Sequence, residues 1–215
     1  MTIPCRFLSL LILLPALLSA AETTSKTTPE WQSLFDGETL EGWKANEKPG
    51  TFTVSNGELV VHGPRSHLFY VGPMGNHDFR NFELTLEVLT KPKANSGIFI
   101  HTGWQDDGWP ARGYEVQINN SHKDPKRTGG LYAVKDNYDP VAPDNKWFTV
   151  SIQVRGKRVL TQVNGKVICD YTEPENLPAG DPPLRRLSHG SIALQGHDPE
   201  SEVRYRNIRV RLLPD

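Results

Sequence analysis

The chain has 215 residues, with 24 basic and 25 acidic side chains and a net charge of −1. That balance points away from a nucleic acid or a membrane surface as partner. The two cysteines, Cys5 and Cys169, are too few for a disulfide framework, so stability must come from a buried core.

The chain opens like an export signal. Arg6 precedes an apolar run at residues 7–18, followed by Ser19-Ala20-Ala21. A basic start, a short apolar core and small residues make a secretory signal peptide, expected to be cut after Ala20 or Ala21. The run is short for a bilayer span, so no stable membrane insertion is expected after cleavage. The expected location is secreted or periplasmic. Cleavage would remove Cys5 and leave Cys169 as a packed thiol without a partner. Residues 22–30 are rich in Thr and Ser and read as a flexible lead-in; residues 31–215 read as one domain.

From Trp31 onward the pattern is strands and turns. Two short strands flank Ser55-Asn56-Gly57, and two more flank Asn164-Gly165. Asn-Gly between alternating segments signals a hairpin, because both residues tolerate positive φ. Phe82, Leu84, Leu86 and Val88 alternate with polar residues, as do Phe148, Val150, Ile152 and Val154. Residues 95–101 and 113–118 also read as strands. Tyr114, Val116 and Ile118 should face one way, and Glu115, Gln117 and Asn119 the other. If that polar face is open to water, it is a surface for a polar ligand. The arginines at 204, 206, 209 and 211 fit the wet face of an amphipathic strand. Long polar loops at 135–146 and 173–188 are of the kind that shapes a site. The expected fold is all-β, an antiparallel two-sheet jelly-roll sandwich.

No phosphate loop, Gly-x-Ser-x-Gly elbow or His-Glu-x-x-His helix is present. An ordered set of segments is recognisable instead. It comprises Phe35-Asp36-Gly37-Glu38-Thr39-Leu40-Glu41-Gly42-Trp43, Gly57-Glu58-Leu59, residues 79–83, 95–100 and 113–118, and Thr128-Gly129-Gly130-Leu131-Tyr132. It closes with residues 145–148, Asn164-Gly165, residues 190–197 and Arg206-Asn207-Ile208. In this the chain resembles the 3-keto-disaccharide hydrolase domain family, formerly DUF1080. The resemblance implies a concanavalin A-like jelly roll of the lectin and glucanase type, with a concave face that holds sugar. Where the strand at 95–100 ends, many relatives have arginine; here it is His101.

The resemblance further implies action on glycosides oxidised at C3. A C3 ketone acidifies the C2 hydrogen, so the C1 substituent can leave by elimination, with water adding afterwards. Such a site needs a base at C2, a protic or positive group at the C3 oxygen, and a proton donor for the leaving group. Glu115, mid-strand on the polar face, is the first candidate for the base. His197, where Gln195-Gly196-His197 leaves a strand, suits proton transfer near neutral pH. His101 joins Glu115 if the two strands pair. Trp104 and Trp109 are candidates for stacking on sugar rings, and Gln117, Tyr132 and Gln195 for binding hydroxyls. Glu115, His101 and His197 are also residue types that hold a divalent metal, but their spacing is no local metal motif, so the cofactor is left open. His62, His67, His77, His122 and His189 are assigned to surface or turn positions. The alternative to an exported enzyme is a non-catalytic carbohydrate-binding module, and a third reading is an interaction domain.

Overall fold

The computed structural model describes Met1, residues 29–177 and residues 184–214. The signal-peptide segment and most of the lead-in lie outside the described residues. In chain order the strands are β1 (Gln32–Ser33), β2 (Trp43–Ala45), β3 (Phe52–Ser55), β4 (Glu58–His62), β5 (Ser66–Tyr70), β6 (Phe82–Thr90), β7 (Ser96–Thr102) and β8 (Tyr114–Ile118). They continue with β9 (Arg127–Leu131), β10 (Lys135–Asn137), β11 (Phe148–Arg155), β12 (Arg158–Val163), β13 (Lys166–Thr172), β14 (Ser191–Gly196) and β15 (Glu202–Leu212). The helical content among the described residues is two short 3₁₀ turns, Pro49–Thr51 and Met74–His77.

The strands form two sheets. The back sheet runs β13-β12-β11-β6-β15-β4-β3, with β1 added beside β15. The front sheet runs β10-β9-β8-β7-β14-β5-β2. Neighbours within each sheet pair antiparallel. This is the expected two-sheet jelly-roll sandwich.

The back sheet follows the simple alternation of a half-buried strand. Phe82, Leu84, Leu86 and Val88 of β6 enter the core, together with Phe148, Val150, Ile152 and Val154 of β11. Its other face is a ladder of ion pairs. Arg204 meets Glu58 at 3.0 Å and Glu202 at 2.7 Å, Arg206 meets Glu87 at 2.5 Å, and Arg211 pairs with Glu83. The arginine stripe therefore lies on the solvated face, with Arg204, Arg206 and Arg211 tied to glutamates of β4, β6 and β15 itself. A bulge shifts the β15 register between Arg206 and Arg209, and Asn207 within it has φ 52°. The bulge explains why Tyr205 and Ile208, three apart, both point inward. Both Asn-Gly hairpins form as expected, with positive φ at Asn56 and Gly57 and at Asn164 and Gly165.

The front sheet breaks the alternation rule. Every residue of β5, β7, β8 and β14 is buried, whichever face it is on. The inward set, including Leu68, Ile98, Ile100, Tyr114, Val116, Ile118, Ile192 and Leu194, fills the core. The outward set lies beneath loops. Phe69, Phe99 and Ala193 form a separate apolar cluster there, and Glu115, Gln117 and Gln195 are nearly inaccessible. The polar row is thus not on an open face but under a roof, and the roof makes the site.

Candidate active site

Three strands supply the floor. Glu115 and Gln117 project from β8, Phe99 from β7, and Gln195 from β14. Loop residues supply the walls. Trp109, Pro110 and Gly113 come from the segment after β7, Asp124 from the turn after β8, Tyr132 from the end of β9, and Arg185 and His197 from segments flanking β14. Asn95 closes one end. Together they enclose a cavity of about 350 Å³, open on one side.

Glu115 is 8 % exposed, and its Oε1 accepts a 2.9 Å hydrogen bond from Gln195 Nε2. Burial pushes its carboxyl up to about 7, although the Gln195 bond and the nearby Arg185 and Lys126 charges favour ionisation. A carboxyl near 7 exchanges protons at neutral pH. Gln117 Nε2 donates to Asn95 Oδ1 at 3.2 Å. The Oε1 atoms of Gln117 and Gln195 are buried with no protein partner. Leaving a buried acceptor unpaired costs roughly 1–3 kcal/mol, so these two amides are suited to a ligand's hydroxyls.

His197 follows Gly196, whose missing side chain lets the backbone pass close to Thr51 and Ser66. The His197 Nδ1–H donates to Asp198 Oδ2 at 2.6 Å, which leaves Nε2 as the exchangeable nitrogen. The ring is flanked by Trp109 at 5.5 Å and His122 at 5.6 Å. Asp198 also accepts from Ser201 and from the Glu200 backbone; these bonds hold it ionised against its burial. His197 is therefore oriented by a carboxylate, as a proton donor should be.

Tyr132 is fixed from both sides. Its backbone N–H donates to the Glu115 carbonyl at 2.9 Å, and its ring carries Lys126 Nζ at 3.8 Å and the Arg185 guanidinium at 5.6 Å. Asn119 lies on the polar face but is used structurally. Its side chain bonds the Asp124 and Lys126 carbonyls and the His122 N–H, shaping the turn that brings Asp124 to the cavity.

Of the residues expected from the sequence, Glu115, His197, Gln117, Tyr132, Gln195 and Trp109 gather around one cavity. Two do not. His101 points away from Glu115 and packs against Phe82 at 5.8 Å. Its Nε2–H donates to the Arg80 carbonyl at 2.9 Å, and its Nδ1 accepts from the Ser188 N–H at 3.1 Å. The cause is a bulge in the β7–β14 ladder, where His101 takes φ 55° and the alternation slips by one residue. Burial holds its imidazole neutral, with the pKa lowered to about 4. Trp104 is the other exception. It meets Phe69 edge-on at 5.4 Å under Lys44 Nζ at 3.9 Å, beside the cavity rather than in its wall. With His101 turned away, Glu115, His101 and His197 do not converge as metal ligands. No group of three His, Cys, Asp or Glu side chains does so among the described residues.

Arg185, Asp124, Asn95 and Asp198 escaped the sequence reading as site residues. Arg185 lies in the long loop before β14, where length alone signalled a site but chose no residue. Asp198 was legible only as a neighbour of His197. His67 was assigned to the surface or a turn and is instead fully buried in β5.

The architecture is a two-sheet jelly roll with a cavity on one sheet, floored by a carboxyl and amides. The chain belongs to the 3-keto-alpha-glucoside-1,2-lyase-like domain family, which it matches over residues 30–211. It is 26 % identical to a 3-keto-disaccharide hydrolase of Bacteroides thetaiotaomicron, over 91 % of this chain and 84 % of that protein. In fold it is similar to a Parabacteroides distasonis protein given the provisional name glycosyl hydrolase. The TM-score is 0.71 at 20 % identity, covering 86 % of this chain and 94 % of that one. It is also similar to the carbohydrate-binding module CBM66 of Bacillus subtilis. There the TM-score is 0.58 at 12 % identity, covering 79 % and 95 % of the two chains.

Proposed function

We propose that this protein is an exported enzyme that cleaves 3-keto-glycosides, 3-keto-disaccharides among them. Glu115 removes the C2 proton, and the electron pair delocalises into the C3 ketone as an enolate. The C1 substituent then leaves as His197 Nε2 protonates its oxygen. Arg185, the guanidinium in the cavity wall, is the group best suited to the enolate oxygen. Gln117, Gln195 and Asn95 bind ring hydroxyls, and Trp109 covers the sugar. Water adds to the unsaturated product where hydrolysis completes the reaction.

The observation that carries this reading is the Glu115 carboxyl, buried on the cavity floor and held near pH 7. A base of that strength is matched to neutral operation, and family membership supplies the substrate class. An ordinary glycoside would demand a second carboxyl flanking the bond. Asp124 is the other acid in the wall, and its turn is fixed by its own backbone and side-chain bonds.

The test is incubation of purified protein with a 3-keto-disaccharide and with its unoxidised parent, with and without chelator. Release of free sugar from the keto substrate alone, abolished by Glu115→Gln in a folded variant, is the expected result. Saturable binding of the unoxidised glycan with turnover of neither substrate would make the protein a carbohydrate-binding module.

A further inference from the structure

Behind the Phe99 and Trp109 wall of the cavity lies the His67 ring. It meets Phe99 edge-on at 5.4 Å and Trp109 edge-on at 5.5 Å. The ring is wholly buried, and neither Nδ1 nor Nε2 has a hydrogen-bond partner. A neutral imidazole offers one donor and one acceptor, and both are idle here. An apolar ring would suit these aromatic surroundings better, because buried polar atoms without partners oppose folding. The β5–β14 register sets His67 opposite Gln195, whose Oε1 is also unpaired. Idle polar groups therefore continue from the cavity floor to a position under Trp109.

Trp109 is the removable part of that wall. It is 46 % exposed, and its side chain packs on rings and a cation: His67, His197 at 5.5 Å, and the Arg65 guanidinium at 5.5 Å. The backbone beneath it is fixed independently. Gln105 Nε2 donates to the carbonyls of Asp107, Gly108 and Trp109, and Gln105 Oε1 accepts from the Ala111 N–H. The indole can therefore swing aside without unmaking the loop.

We propose that His67 is a positioning residue for the leaving half of the substrate, reached when Trp109 turns off it. A ring nitrogen uncovered in this way pairs with a hydroxyl of the leaving group, which a sugar ring carries and an aryl or alkyl aglycone lacks, so the group it selects is a second sugar ring. This rests on the 3-keto-glycoside reading and goes beyond it in naming the leaving group and a residue that discriminates it.

The experiment compares wild type, His67→Phe and His67→Gln on 3-ketomaltose and 3-ketocellobiose, each oxidised in its non-reducing ring. It compares them also on the p-nitrophenyl 3-keto-α- and β-glucosides. His67→Phe should raise KM for the disaccharide at least tenfold with kcat little changed, and leave the nitrophenyl substrate within twofold. His67→Gln should recover part of the loss. His67→Phe should also melt at or above the wild-type temperature; if it does not fold, His67→Gln and His67→Leu carry the same comparison. An equal effect on both substrates, or none on either, overturns the proposal while leaving the reaction assignment intact. If wild type turns over no keto substrate, the reaction assignment falls. The proposal is then decided by titration with maltose and cellobiose: a tenfold weaker Kd in His67→Phe supports it, and unchanged binding overturns it.

Discussion

Glu115 and Gln195 are hydrogen-bonded at 2.9 Å although a whole strand, β7, separates theirs. The bond crosses over β7 at Gly97. Ile98 pairs with Leu194, which sets Gly97 beside Gln195, and Gly97 pairs with Gln117 on the other side. A Cβ at Gly97 would lie 2.8 Å from Glu115 Cγ and closer still to its Oε1. The glycine is therefore required by space, since its backbone lies in ordinary strand conformation. Gly97→Ala should drive the carboxyl out of its bond. Overpacking of this kind costs roughly 1–3 kcal/mol. The proposed activity should fall on the order of 100-fold, because a displaced base loses its alignment. Melting temperature and kcat/KM measured together check this; an alanine variant with full activity would contradict the assignment of Glu115 as base.

The burial of Glu115 also sets the sign of a pH effect. Its folded pKa is about 7, above the ordinary 4.5. Between these values the folded chain binds more protons than the unfolded one, so stability falls as pH rises from 4.5 through 7. The full span is on the order of 3 kcal/mol. His67 and His101, lowered to about 4 by burial, give the opposite slope below pH 6.5. That slope is common to wild type and Glu115→Gln and cancels between them. The stability of Glu115→Gln relative to wild type should therefore climb from pH 5 to pH 8. Wild-type kcat/KM on a p-nitrophenyl 3-keto-glucoside, whose leaving group needs no proton from His197, should rise over the same range and level off above 7, as a base must be ionised to act. Denaturant melts at four pH values, paired with a rate profile, test both.

How far the sequence could be read depends on which sheet is considered. The back sheet was legible residue by residue, because water on one face enforces alternation at Phe82, Leu84, Leu86 and Val88. The Asn-Gly turns were equally plain. The front sheet was legible as strands and as a polar row, and of the row Glu115, Gln117 and Asn119 the first two lie on the cavity floor while Asn119 shapes a turn. Its burial was not readable, because the roof comes from loops distant in sequence. His101 was misplaced because a bulge leaves no mark in an alternation pattern; only φ shows it. Arg185 and Asp124 enter through loop closure, which periodicity does not encode.

The refitted role of His101 is open to direct measurement. Its buried ring joins the Arg80 carbonyl to the Ser188 N–H, away from the cavity. Replacing it by leucine leaves both of those backbone groups without a partner. A loss of roughly 1–3 kcal/mol in stability is expected. The folded variant should keep kcat/KM within about threefold of wild type, far less than the 10²–10⁴-fold typical of a proton-transfer group. A large kinetic loss in a variant of native stability would return His101 to the catalytic group.

Arg185 and His197 divide the two electrophilic tasks of the proposed reaction, and their variants should fail differently. Arg185→Met removes the charge at the enolate oxygen. Loss of one preorganised group at a developing oxyanion costs on the order of 10²–10³-fold in kcat. That loss should be independent of how good the leaving group is, because the enolate forms in every case. His197→Asn removes the proton given to the departing oxygen, so its penalty should depend on that oxygen. A sugar alkoxide needs the proton and should suffer the full loss. Nitrophenolate leaves unaided and should suffer little. Asp198→Asn, which removes the charge that orients the His197 Nδ1–H, should follow His197→Asn with a smaller effect. Rates on a matched pair of 3-keto-disaccharide and p-nitrophenyl 3-keto-glucoside separate the cases. Equal penalties on both substrates for His197→Asn would take the leaving-group proton away from His197 and give it to solvent or another side chain.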